Sequence, residues 1–253
     1  MAHSYRESGA FRKRTALARL SDLVWPPRSL LSEAIVDRPG VIEAVLWSEL
    51  HFIAEPCCFR CGFPLPEEIG DTAVCAACAG APPAFDRARA ALVYDDHTRK
   101  LVLDLKRGGR RDGLPVFAKW MSAAAAPLLA EADVIAPAPM HWTRLAARSF
   151  NQAAWLAQAL AKASGKPWRP GALRRVKRRR SQEGLSASER KRNVGGAIKA
   201  AGRFDGKTVL VVDDVLTTGA TLEACARALR KAGAAQVHAV TLARVVRPID
   251  ILL

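Results

Sequence analysis

Long apolar runs are missing from this 253-residue chain. None approaches the roughly 20 consecutive apolar residues that a membrane-spanning helix needs, which argues against membrane insertion. The basic N-terminus, with Arg6, Arg12, Lys13 and Arg14, leads into no apolar segment of the secretory kind, so a cytoplasmic protein is expected. Acidic residues are scarce beside basic ones, 24 against 39, for a formal charge of +15. A surplus of that size implies a polyanionic partner, a phosphate-rich substrate, or both. Aromatic residues are also few, at 6%. Near the basic stretches stand only Phe150, Trp155 and Trp168, and Trp155 falls on a predicted core face. Electrostatic binding of single-stranded DNA is compatible with this composition, and sequence-specific readout is not supported.

Half of the residues are hydrophobic, enough for one good core and a small satellite domain. Residues 1–14 read as a disordered basic tail. Thr15 to Trp25, with Leu17, Leu20, Leu23 and Val24, reads as a short amphipathic helix stopped by Pro26 and Pro27. From Ala90 strands and helices alternate. Strands are expected at Ala90–Tyr94, Asp133–Pro137, Ala172–Val176, Thr208–Val212 and Gln236–Ala243. Helices are expected at His97–Lys106, Leu114–Leu129, Asn151–Ser164 (closed by Gly165) and Leu222–Lys231 (closed by Gly233). Such alternation predicts an α/β parallel sheet flanked by helices. The basic turn of Arg107, Gly108, Gly109, Arg110 and Arg111 sits between two of the helices.

Six cysteines include two C-x-x-C pairs, Cys58/Cys61 and Cys75/Cys78. Each pair places two thiolates on one tight turn, and together they complete an S₄ set suited to zinc. A redox pair and an iron–sulfur cluster are the alternatives. Cys57 is out of register and reads as a spare thiol, and Cys225 as a small core residue. Upstream lies a faded copy of this unit. Pro27 precedes Ser29 and Ser32 as Pro56 precedes Cys58 and Cys61, and Glu43 and Leu46 fall where a second pair belongs. Serine and leucine cannot hold zinc there, so packing of Trp25 and Trp47 is expected to stabilise this half. An unrelated helical lead-in is the alternative. The expected domains are a degenerate double zinc-ribbon region over 15–85, with one intact ribbon at about 56–80, and an α/β domain over 86–253.

The chain is organised around residues 208–221. A buried-strand run, Thr208 to Val212, ends in Asp213 and Asp214; the turn Thr217, Thr218, Gly219, Ala220 and Thr221 follows, and then a helix. Ligands of open parallel sheets sit beyond the carboxyl ends of strands, and a Gly/Thr turn at a helix N-terminus cradles phosphate. Two acids beside a phosphate need another task, and ribose hydroxyls or an indirectly held Mg²⁺ supply one. Acids that merely cap the next helix are the bland alternative. The glycine-rich run at Gly202–Thr208 is no nucleotide loop, because it precedes a strand. His141 lacks a partner that would make it a base.

This stretch resembles the 5-phosphoribosyl 1-pyrophosphate (PRPP) motif of type I phosphoribosyltransferases. Several further segments fall in order before it: Ala136 to His141; Arg148 to Gln152; Gln182 and Leu185; Glu189, Arg190, Asn193 and Val194. With the cysteine ribbon, the pattern is similar to that of the ComF family of competence-associated proteins, from about Leu20 onward. The chain departs from it at Ser149, at Arg179 and in the faded half-ribbon. The resemblance implies a type I phosphoribosyltransferase-like sheet with a small N-terminal zinc ribbon, and a link to DNA uptake in natural transformation beside a helicase-type partner. It implies that Asp213 and Asp214 bind the ribose hydroxyls and steady a cationic sugar, and that Val215, Leu216, Thr217, Thr218, Gly219, Ala220 and Thr221 hold the 5-phosphate. Mg²⁺ would sit on the pyrophosphate, with Arg180, Arg190 and Lys177 on a loop, 174–196, that closes over the site. A merely solvated basic loop is the alternative. Whether such a site turns over, and on which acceptor, is left open. A catalytically silent DNA-processing accessory is the second reading.

Overall fold

The computed structural model describes residues 25–246, apart from 33, 67–69, 71, 108–109, 141–149 and 177–197. The predicted tail, nearly all of the lead-in helix, His141, Arg148, Lys177, Arg180, Arg190 and most of the basic loop lie outside the described residues. The strands are β1 (Arg87–Val93), β2 (Val134–Pro137), β3 (Leu173–Arg175), β4 (Ile198–Ala200), β5 (Thr208–Leu216) and β6 (Gln236–Arg244). The helices are α1 (Ala44–Trp47), α2 (Ala76–Gly80), α3 (Asp96–Arg107), α4 (Leu114–Ala124), α5 (Ala126–Glu131), α6 (Gln152–Ser164) and α7 (Ala220–Lys231).

Four strands form a parallel sheet in the order β1-β6-β5-β2. β5 explains why both faces are covered. Its residues Leu210 and Val212 enter a cluster with Leu105, Phe117, Met121, Leu156 and Leu160. Its alternate residues Val209 and Val211 enter another with Leu222, Cys225 and Leu229 of α7. Period-two alternation thus buries apolar groups on two sides at once, which is why the strand reads as a continuous hydrophobic run. Both sheet edges are occupied. The segment at Phe52 lies antiparallel to β1, with Val93 N–H donating to His51 O at 2.8 Å. On the far side Ile135 N–H donates to Pro167 O at 2.8 Å, and Arg169 N–H to Ile135 O at 2.9 Å.

Three expectations need correction. The helix expected at Leu114–Leu129 breaks at Ala125, because Pro127 donates no N–H and its ring clashes with the preceding turn. The central strand does not end at Val212; it carries both acids and runs to Leu216, and α7 starts at Ala220, before Leu222. The strand expected at Ala172–Val176 forms as β3, but it pairs antiparallel with β4, outside the main sheet.

Candidate functional site

At the carboxyl end of β5 a cleft of about 250 Å³ is lined by Asp213, Asp214, Val215, Thr217 and Thr221. Lys106, Asn151, Gln152 and Arg175 complete its polar wall. They come from three elements. Lys106 lies in the last turn of α3, Arg175 ends β3, and Asn151 caps α6 by accepting from Ala153 N–H at 3.0 Å. That cap fixes the helix start and thereby aims the next residue, Gln152, at the acid pair.

The two acids differ sharply. Asp214 is buried, and its Oδ2 accepts from Lys106 Nζ and from Gln152 Nε2, both at 2.8 Å. Its Oδ1 accepts from Val215 N–H at 2.7 Å. Three donors hold this buried carboxylate in one place. Among the described residues Asp213 accepts one bond, from Asp214 N–H at 2.9 Å. Burial and then the charge of Asp214 push its carboxyl up to about 7, against the pull of Lys106 and Arg175. The two neighbouring carboxylates thus stand in different surroundings, Asp214 held by three donors and Asp213 by one among the described residues.

Behind them the turn of Thr217, Thr218, Gly219, Ala220 and Thr221 rims an adjoining hollow. Gly219 has φ +76° and caps α7, a left-handed conformation that a side chain strains. Among the described residues, the N–H groups of Thr217 to Thr221 donate to no backbone acceptor. Unpaired amides at a helix N-terminus suit an anion. Leu216 is buried in the core cluster beneath the hollow it helps to line.

Sequence reasoning missed Lys106, Gln152 and Arg175 as site residues. Their signals were present: a lysine in the last turn of a helix that runs into a glycine pair, a glutamine at the close of the motif from Arg148, and an arginine at the loop's first strand. The neighbouring basic turn is otherwise engaged. Arg110 donates to Ser29 O at 3.0 Å and pairs with Asp112, while Arg111 stacks over Trp155 at 4.0 Å.

In the N-terminal lobe, the donor atoms of Cys58, Cys61, Cys75 and Cys78 lie within 4.8 Å of one another. Cys61 Sγ and Cys75 Sγ are 3.7 Å apart, close to the ~3.8 Å that four tetrahedral bonds of about 2.3 Å require. Cys61 and Cys75 N–H groups approach Cys58 Sγ at 3.5 and 3.3 Å, favouring its thiolate. The set fits a structural zinc ion. Cys57 stands apart, its thiol pushed up to about 12, first by burial, and Cys225 is fully buried. Arg244, at the end of β6, donates to Cys61 O and lies over the Phe63 ring, tying ribbon to sheet. Gly62 is pressed against that sheet, since a Cβ there would meet Ala88 O at 2.6 Å.

Comparison with known proteins agrees with this geometry. The family described as "Phosphoribosyl transferase domain" matches residues 146–248, and "Double zinc ribbon domain" matches residues 20–79. "Competence protein F" of Haemophilus influenzae is 36% identical over 115 residues, 44% of this chain and 50% of that protein, so the match spans half of that relative's length. "DNA utilization protein YhgH" of Salmonella typhimurium is 31% identical over 192 residues, 74% of this chain and 83% of that protein. The Escherichia coli K12 protein of the same name is 29% identical over equal shares. With a type I phosphoribosyltransferase-like sheet, a clustered cysteine ribbon and these relatives, the chain belongs to the ComF family.

Proposed function

We propose that the cleft binds PRPP or a related ribose 5-phosphate. One observation carries this reading: a carboxylate pair at the end of β5 and an unpaired amide turn at the start of α7 open on adjoining hollows. The turn from Val215 to Thr221 takes the 5-phosphate, and Asp213 and Asp214 take the ribose hydroxyls. Lys106 and Arg175 stand near enough to the acids to balance their charge, and Arg180 and Arg190 belong to the loop that would reach the pyrophosphate. Mg²⁺ bound with that pyrophosphate would neutralise it. If transfer occurs, the bond from ribose C1 to the pyrophosphate oxygen breaks, the electron pair leaves with pyrophosphate, and an acceptor nucleophile bonds to C1. Asp214 is placed to stabilise the cationic sugar between those events. A cysteine set placed to hold zinc suits the reducing cytoplasm.

Calorimetric titration with PRPP and Mg²⁺ tests the reading. Asp213→Ala/Asp214→Ala should weaken binding about 100-fold or more, roughly 2.7 kcal/mol. No heat from the parent protein would remove the proposal. The names of the relatives and the +15 charge favour a second reading, a DNA-uptake accessory that binds single-stranded DNA and a helicase-type partner. Neutralising Lys177 to Arg180 should then weaken single-strand binding and flatten its salt dependence.

A further inference from the structure

Two stretches of the N-terminal lobe run in the same hydrogen-bond register. In the cysteine ribbon, Cys58 N–H donates to Phe63 O at 2.7 Å, Leu65 N–H to Pro56 O at 3.0 Å and Phe59 N–H to Ala73 O at 2.8 Å. Their counterparts are Ser29 N–H to Ala34 O at 2.9 Å, Val36 N–H to Pro27 O at 2.9 Å and Leu30 N–H to Val41 O at 3.0 Å. The antiparallel bridge of Cys57 with Pro64 is matched by that of Arg28 with Ile35. Each donor in the first stretch precedes its counterpart by 29 residues. After a shorter connection, α1 starts behind Glu43 as α2 starts behind Cys75. Both capping residues are extended, at φ −63°, ψ 147° and φ −67°, ψ 158°. Ser32 N–H approaches Ser29 Oγ at 3.3 Å just as Cys61 N–H approaches Cys58 Sγ at 3.5 Å. An arginine of the α/β domain grips the knuckle carbonyls in each case: Arg110 holds those of Arg28 and Ser29, and Arg89 those of Cys58 and Phe59. By this register Ser29, Ser32, Glu43 and Leu46 stand where Cys58, Cys61, Cys75 and Cys78 stand.

The first set does not fit zinc. Two hydroxyls that stay protonated near neutral pH, one carboxylate and a leucine without a donor atom make no tetrahedral site. Another arrangement occupies the position. Ser29 Oγ donates to one oxygen of Glu43 and Ser32 Oγ to the other. Ser29 is fully buried, and its Oγ also accepts from Leu31 N–H at 3.2 Å. The two hydroxyls hold the Glu43 carboxyl below its ordinary range. Leu46 packs against the larger core cluster. The expected packing of Trp25 is not found: it is 82% exposed. Trp47 instead meets Phe52 and Trp120, with ring centroids 5.5 and 5.6 Å away.

We propose that residues 27–47 are an ion-free replica of the cysteine ribbon, fastened by the Glu43 carboxylate between Ser29 and Ser32 and by Leu46 on the core. The replica carries hydrogen bonds and packing where its twin carries thiolates. The chain therefore takes one zinc ion, and chelators or thiol oxidants open one half of the lobe and spare the other.

Native mass spectrometry of the full chain tests this. The parent should hold one zinc ion and the quadruple variant Ser29→Cys/Ser32→Cys/Glu43→Cys/Leu46→Cys should hold two, because the backbone already presents the positions. Two ions in the parent, or one in a folded quadruple variant, would overturn the proposal. Should the variant not fold, the parent alone decides. After chelation, amide hydrogen exchange over residues 56–80 should quicken at least tenfold while residues 29–47 keep their protection. Equal loss in both stretches would sink the idea.

Discussion

The ribbon around Cys58 and the sheet around β5 solve the same problem by different means. The ribbon is a small body with Cys58, Phe63 and Cys78 at its buried centre. So few apolar groups cannot offset the entropy of ordering its loops, and a metal must. The sheet buries β5 on both faces between two clusters, and each fully buried Leu or Val contributes about 1.5–3 kcal/mol. Stability that rests on an ion is lost all at once when the ion goes, whereas stability spread over many side chains erodes in steps. The acid pair sits on the second kind of support, where a missing contact shifts the site less than a missing ion would.

The comparison can be broken most directly by removing metal. A strong chelator, or Cys58→Ser, should cost the ribbon on the order of 10 kcal/mol of apparent local folding energy. Circular dichroism should nonetheless retain the helices of the α/β domain, and a chain that unfolds throughout would erase the distinction. Next in size, Leu210→Ala should lower global stability in urea by about 3 kcal/mol with zinc content unchanged. Lys106→Met leaves the buried Asp214 carboxylate with Gln152 and Val215 N–H but without the cation that pairs with it. It should cost about 2–3 kcal/mol, and adding Asp214→Asn should recover much of the loss in a double-mutant cycle.

The smallest effect concerns Asp213. Its folded pKa of about 7 lies above the ordinary 3.8, so the stability of the protonated form is fully present below about pH 4 and lost as pH rises through 7. Asp213→Asn should therefore stabilise the protein at pH 8 relative to the parent, by about 1–2 kcal/mol after discounting for partial exposure. That advantage should shrink toward pH 4. Urea midpoints of both proteins at pH 5 and pH 8 would measure it.

What the sequence made legible, and what it hid, follows from the range of the interactions. Val209 to Val212 could be read as a strand because burial on both faces leaves a local, uninterrupted apolar record. The cysteine cluster was legible because thiolates at fixed spacing have few other uses. The Thr/Gly turn declared itself through a glycine that a positive φ requires. Lys106 was hidden because its role depends on meeting Asp214, 108 residues later, and only the parallel crossovers of the sheet decide that meeting. Gln152 was hidden likewise: helical spacing marks it as buried but does not name its partner. Strand β4 was missed because three residues, Ile198 to Ala200, leave no periodic signature. The Ser29–Glu43–Ser32 cluster was half legible, since spacing located the positions while geometry revealed the bonds.

Arg244 has a consequence for biosynthesis. Its guanidinium holds the Cys61 carbonyl across a separation of 183 residues, so the ribbon and its fastener leave the ribosome far apart in time. At about 5–20 residues per second the delay is about 10–40 s. Throughout that interval the turn at Cys58–Cys61 lacks the guanidinium that finally holds Cys61 O and covers the Phe63 ring. Early metal capture by the nascent chain would keep those four thiolates together until the last strand arrives.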